Sequence, residues 1–154
     1  MLRGGPICGR VERVGSMTRD QAIAFLAEGT HTGKLATASP EGAPHVAPVW
    51  FLVDGDDLVF TTGRDTVKGR HLRANPRAAL SADIEEFPFT FVTVRGAVTV
   101  EQRAADLLSW ATRLAARYVP PERAQEYGRR NAVPEELLCR LHIDRVASYA
   151  DIAR

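Results

Sequence analysis

Lysine is nearly absent from this chain: of twenty basic residues, only Lys34 and Lys68 are lysines. Cysteine is as scarce. Cys8 and Cys139 lie far apart and make neither a metal-ligand spacing nor a disulfide framework. No run is long and apolar enough to span a membrane. Residues 1–15 lack the continuous apolar core of a secretory signal, so the expected location is the cytoplasm, with no membrane partner. Excess charge is missing too. A formal net charge of +1 argues against a nucleic-acid partner, and the Arg129-Arg130 pair reads as a solvated helix end. There is no serine elbow, no H-E-x-x-H and no Walker loop. His45 and His71 have no carboxylate at helical spacing, so no metal site is expected, and no catalytic side chain stands out. Internal repeats and low-complexity segments are absent.

What is present reads as one domain. At 154 residues with 45% hydrophobic and 25% charged side chains, residues 17–154 suffice for a globular unit. Residues 1–16 are Gly-rich and patternless and read as a disordered extension. Thr18-Arg-Asp-Gln21 is a capping box ahead of a helix with Ile23, Phe25, Leu26 and Ala27 on its apolar face, ending at Gly29. Short strands follow at 35–39, 45–53 and 58–62. They are punctuated by the Ser39-Pro-Glu-Gly42 turn and the Asp54-Gly-Asp56 hairpin signal. A short basic helix around Lys68 leads to a strand at 78–82. Residues 90–100 alternate, with Val92, Val94, Val98 and Val100 opposite Thr93, Arg95 and Thr99. An amphipathic helix spans 104–118, Pro120-Pro121 ends it, and a short helix at 122–129 precedes the last strand. In that strand Cys139, Leu141 and Ile143 face inward. Consecutive short strands joined by tight turns favour a mainly β (α+β) fold, an antiparallel barrel with peripheral helices.

Two places carry candidate chemistry. Pro48 interrupts the apolar run His45-Val-Ala-Pro-Val-Trp-Phe-Leu-Val53. Proline donates nothing to a sheet ladder, so the segment is an edge or a bulge. A planar ligand can lie against such a strand, although an ordinary edge would look the same; Trp50 and Phe51 beside it read equally as core. The second place is Leu58 to Ala82. There Thr61, Thr62, Arg64, Thr66 and Lys68 surround a strand end and the first turn of a basic helix. Hydroxyls, free backbone N–H groups and a cation at one spot suit a phosphate; a hairpin end with a solvated basic helix is the plainer alternative. A phosphate site and a flat surface without an acid–base pair suit chemistry carried by a cofactor.

The ordered set of turn, Pro-containing strand, TT-x-R-x-x-x-K helix, NPR strand and RGxV strand resembles a known family. This is the split β-barrel flavin-binding family typified by pyridoxamine 5′-phosphate oxidase. The similarity spans residues 18–154 and is strongest to small members that use the deazaflavin coenzyme F-420. The resemblance implies a six-stranded antiparallel split barrel and a homodimer with cofactor sites between protomers. It implies that Thr61, Thr62, Thr66 and Lys68 hold the cofactor phosphate and that His45, Pro48, Val49 and Trp50 line the ring. Phe89 and Phe91 fall where the partner's strand approaches the ring. The implied activity is hydride transfer from reduced F-420 to a conjugated small molecule. FMN on the same scaffold is the alternative cofactor, and a non-catalytic cofactor-binding protein the alternative role. The basic and aromatic C-terminal signature of true pyridoxamine phosphate oxidases is missing from residues 142–154, which argues against vitamin B6 oxidation.

Overall fold

The computed structural model describes residues 12–154. Eight strands form one sheet. In chain order they are β1 (Glu12–Gly15), β2 (Gly33–Ala38), β3 (Pro44–Val49), β4 (Leu52–Asp54), β5 (Asp57–Gly63), β6 (Arg77–Ile84), β7 (Thr90–Gln102) and β8 (Glu136–Tyr149). Four α-helices accompany them: α1 (Arg19–Ala27), α2 (Val67–Ala74), α3 (Leu107–Tyr118) and α4 (Ala124–Asn131). The sheet path runs β3-β2-β6-β7-β8-β5-β4, antiparallel throughout, and β1 adds to β8 in parallel.

The two ends of that path belong to adjacent strands. Only Trp50 and Phe51 separate β3 from β4, and three chain steps reach at most about 11 Å. The sheet therefore curls until its edges meet at this corner, which makes a barrel of it. The expected six strands become eight for two reasons. The single strand expected at 45–53 breaks at Trp50–Phe51, and residues 12–15 form β1. That pairing corrects the expectation of disorder for its share of residues 1–16; residues 1–11 lie outside the described part.

The corner is held from outside by the end of α3. The Arg117 guanidinium donates to the carbonyls of Phe51 at 2.6 Å, Leu26 at 2.8 Å, Gly29 at 3.0 Å and Glu28 at 3.1 Å. It thereby satisfies carbonyls left open where α1 ends. The Tyr118 hydroxyl accepts from Phe51 N at 3.2 Å and faces the carbonyls of His31 at 2.8 Å and Phe51 at 3.1 Å. Burial pushes the Tyr118 phenol up, and it lowers the Arg117 pKa from a value far above neutrality.

Inside the barrel, Phe51, Leu58, Phe60, Leu80, Val92, Val94, Leu137 and Leu141 form the main core with Leu26 of α1. Each such side chain contributes roughly 1.5–3 kcal/mol by leaving water. The capping box of α1 is complete, with Gln21 N–H to Thr18 Oγ1 at 3.1 Å and Thr18 N–H to Gln21 Oε1 at 2.8 Å. On β5 the alternation fails, because Leu58, Val59 and Phe60 are all buried. Val59 points away from the barrel and packs with Leu107, Trp110 and Leu138 under α3. α4 folds back on α3, and Gly128 makes this possible: a Cβ there would stand 2.2 Å from Thr112 Oγ1.

Candidate functional site

β5 ends in Thr61-Thr62-Gly63, and the chain turns through Arg64 and Asp65 into α2. Thr66 caps that helix. Its Oγ1 accepts from Gly69 N at 3.1 Å and donates to Gly63 O at 2.7 Å. A Cβ at position 69 would stand 2.1 Å from Gly63 O, so glycine lets α2 press against the turn. Thr66 N–H is taken by Gly63 O at 3.2 Å. Of the first-turn donors that a helix leaves open, those of Val67 and Lys68 remain, at the rim of a cleft.

That cleft has a volume of about 290 Å³ and is lined by Pro48, Val49, Trp50, Thr61, Thr62, Gly63, Thr66, Lys68 and Glu136, with Ala111, Leu114 and Asn131 of α3 and α4. Seven of the eleven residues named from sequence thus converge from β3, β5 and α2: Pro48, Val49, Trp50, Thr61, Thr62, Thr66 and Lys68. The basic helix expected at 58–82 is solvated along Val67, Arg70 and Arg73, while Lys68 at its first turn lines a cleft bordered by α3 and α4.

Lys68 is the cation lining this cleft. The other lysine, Lys34, pairs with Asp83 at 3.0 Å, whereas Lys68 makes no hydrogen bond or ion pair among the described residues. The threonines divide the remaining work. Thr62 is buried and its Oγ1 lies 3.2 Å from that of Thr66. Since Thr66 spends its proton on Gly63 O, Thr62 donates in this contact. Thr66 therefore caps the helix and also lines the cleft. Thr61 and Glu136 both line the cleft. Burial pushes the Glu136 carboxyl up, against the opposing pull of Thr61 and Lys68. Sequence reading missed Glu136 because it sits at the start of β8, where only the register Gly63↔Glu136 brings it to the cleft.

Four named residues stand elsewhere. Arg64 leaves the cleft and pairs with Asp65 at 3.5 Å on the surface. His45 lies on β3 outside the cleft lining, edge-on to His71 of α2 at 6.1 Å between ring centroids; its Nδ1 is buried without a hydrogen-bond partner among the described residues. Phe89 and Phe91 flank the β6–β7 turn, where they line a separate cavity of about 330 Å³. In the sheet path β8 stands between β7 and β5, so one chain does not bring these rings to Lys68.

The cleft continues past β3. A neighbouring cavity of about 510 Å³ shares Pro48, Val49, Trp50 and Asn131 with it and adds Thr32, Tyr127 and Arg130. Trp50 stacks on Tyr118 at 5.1 Å with 7° between planes, and Tyr127 tilts over it at 6.3 Å. Arg129 and Arg130 are exposed in the last turn of α4, the solvated helix end expected of them, and Arg130 also borders this cavity over the Tyr127 ring. Pro48 lies exposed on β3, the first strand of the sheet path, where its missing N–H costs no ladder bond. A flat apolar ledge thus adjoins a lone ammonium and open helix donors. Those groups fit one anionic phosphate joined to a planar ring. Among the described residues no three His, Cys, Asp or Glu side chains cluster for a metal ion, and no helix is long and apolar enough to cross a membrane.

The family model described as pyridoxamine 5′-phosphate oxidase matches residues 19–149. The chain belongs to that family. The fold recurs in solved structures. A conserved hypothetical protein from Mycobacterium tuberculosis superposes with a TM-score of 0.73 at 19% identity, covering 88% of this chain and 86% of that one. An F-420 reductase gives 0.62 at 26% identity, over 79% of this chain and 93% of its own. The heme storage protein HutZ from Vibrio cholerae gives 0.66 at 18% identity, over 84% and 94%. No curated protein sequence matches the chain. As a member of this family, the chain carries a fold associated with flavin-type and F-420-related oxidoreductases.

Proposed function

We propose that this protein is an oxidoreductase that binds reduced coenzyme F-420 and passes hydride to a conjugated small molecule. The observation that carries this reading is the convergence of Pro48–Trp50, Thr61 and Lys68 on one cleft, from segments far apart in the chain. The 26% identity to an F-420 reductase supports F-420 ahead of FMN. Lys68 supplies the counter-charge for the phosphate, and charge-assisted hydrogen bonds of this kind contribute roughly 1.5–3 kcal/mol each. The open N–H groups of Val67 and Lys68 add donors at the same rim. Pro48, Val49 and Trp50 form the ledge for the ring, and the stack of Trp50 on Tyr118 keeps that ledge rigid. When bound, the cofactor supplies a hydride to the electrophilic carbon of the substrate; a solvent proton completes the two-electron reduction. Orientation at near contact supplies roughly 7–11 kcal/mol of the barrier, so no protein nucleophile is needed.

The protein acts as a homodimer. Phe89 and Phe91 of one copy close the ring site of the other and exclude water from it. The exposed aromatic rings at the β6–β7 turn support this.

Titrating purified protein with F-420 and following its fluorescence tests the reading: binding changes the signal, and an unchanged signal overturns it. Protein that purifies yellow and releases FMN on denaturation establishes the FMN version instead. Tight binding without reduction of quinones, enones or tetrapyrroles would make the protein a carrier. Sedimentation velocity tests the dimer.

A further inference from the structure

The charges in the cleft are unusual for a phosphate site. One ammonium, Lys68, faces one carboxylate, Glu136, and the second cation expected there, Arg64, is turned away to Asp65. The carboxylate is not a bystander. It lines the cleft with Thr61 and Lys68, and it stands over the turn that feeds α2. A methyl group on Gly63 would lie 3.8 Å from Glu136 Oε2 and 3.2 Å from Thr66 Cγ2. An incoming phosphate therefore meets a negative charge as well as a positive one.

We propose that Glu136 selects the charge of the bound phosphate, admitting a singly charged phosphodiester and disfavouring a doubly charged phosphomonoester. This deepens the cofactor reading above and rests on it. The chemistry is charge matching in a partly desolvated space, where like charges repel far more than in water. Lys68 and Glu136 balance each other, so a diester leaves one uncompensated negative charge in the cleft and a monoester leaves two. Glu136 therefore repels the monoester about twice as strongly as the diester. F-420 carries its phosphate as a diester, and FMN carries a monoester.

The neighbours of Glu136 decide how the effect follows pH. β5 offers Thr61 and Thr62, α2 offers Thr66 and Lys68, α3 offers Ala111 and Leu114, α4 offers Asn131, and on its own strand stands Cys139. Lys68 is the charged one. Burial favours the protonated carboxyl, so acid neutralises Glu136 and removes the discrimination, while alkali strengthens it.

The test uses small esters, so that it does not depend on which cofactor binds. Methyl phosphate and dimethyl phosphate are titrated into the full-length wild type, Glu136→Gln and Glu136→Ser, with the Gly63 and Thr66 amide resonances as readout. At about pH 8 the monoester is close to doubly charged. Removing the carboxylate is expected to tighten methyl phosphate by about tenfold and dimethyl phosphate by only about threefold. The serine variant gives the same answer should the glutamine variant misfold. Equal tightening of both esters, no tightening of either, or no shift at those amides with any ester overturns the proposal. F-420 and FMN are then titrated in parallel. If neither binds while the small esters discriminate as stated, the cofactor reading falls and the role of Glu136 stands.

Discussion

Two aromatic regions of this molecule behave in opposite ways. At the barrel corner, Phe51 is fully buried, and Trp50 is half-buried, stacked on Tyr118 with Tyr127 tilted beside it. At the β6–β7 turn, Phe87 is 71% and Phe89 44% exposed. The corner has a clamp of four carbonyls on Arg117, supplied by the same chain. The turn has Phe87 against Phe89 at 6.2 Å and Phe91 against Tyr149 at 5.7 Å, and the backbone of Ile152 and Ala153 bonds to Phe89 and Pro88 while the Phe87 and Phe89 rings stay open to solvent. One region is completed by intramolecular packing. The other has a surface suited to a second copy.

Breaking the corner is expected to have the largest effect. Arg117→Ala leaves carbonyls of Leu26 and Phe51 without their charged donor, a loss of about 3 kcal/mol. For a chain of this size that corresponds to a drop of roughly 6–12 °C in Tm, read by calorimetry. Lys68→Ala keeps the fold and weakens F-420 binding by about 10–100-fold, the loss of one charge-assisted contact. Affinity within a factor of two of wild type would show that the phosphate lies elsewhere. Phe89→Ser tests the other side of the contrast. Truncating an aromatic anchor is expected to weaken the proposed dimer by about tenfold, seen by sedimentation, with Tm nearly unchanged. If Tm falls as it does for Arg117→Ala, the turn is a structural element of the monomer.

The smallest effect concerns Cys139, buried on β8. Burial and the nearby Glu136 push its thiol up to about 12. In a Cys8→Ser background, Cys139 is expected to resist thiol reagents until the protein unfolds. An unfolded thiol titrates near pH 8.5, so the folded state holds the proton more tightly. Stability should therefore decline as pH rises above about 8.5, and Cys139→Val should decline less.

Much of the barrel could be read from local chemistry. The capping box at Thr18 and Gln21, the turn at Ser39–Gly42 and the valine alternation on β7 are short-range signals, and each governs its own element. The Thr61–Lys68 side of the cleft was legible for the same reason, since it is one continuous segment. What could not be read involves partners distant in sequence. Glu136 reaches the cleft only through the β5–β8 register, and Arg64 leaves it because Asp65 is closer. The same holds for β1, whose residues 12–15 have no pattern of their own and become a strand by borrowing the edge of β8.

The chain's own pattern of turns, caps and alternating residues determined which segments become strands and helices, because those choices rest on contacts a few residues apart. Tertiary structure alone decided that the strand expected at 45–53 would break at Trp50–Phe51, since Arg117 and Tyr118 pull that backbone out of the ladder. It also decided which face α3 covers and which carboxylate faces Lys68. Charge and burial at a site are sums over neighbours in space, and a linear chain does not state who those neighbours are.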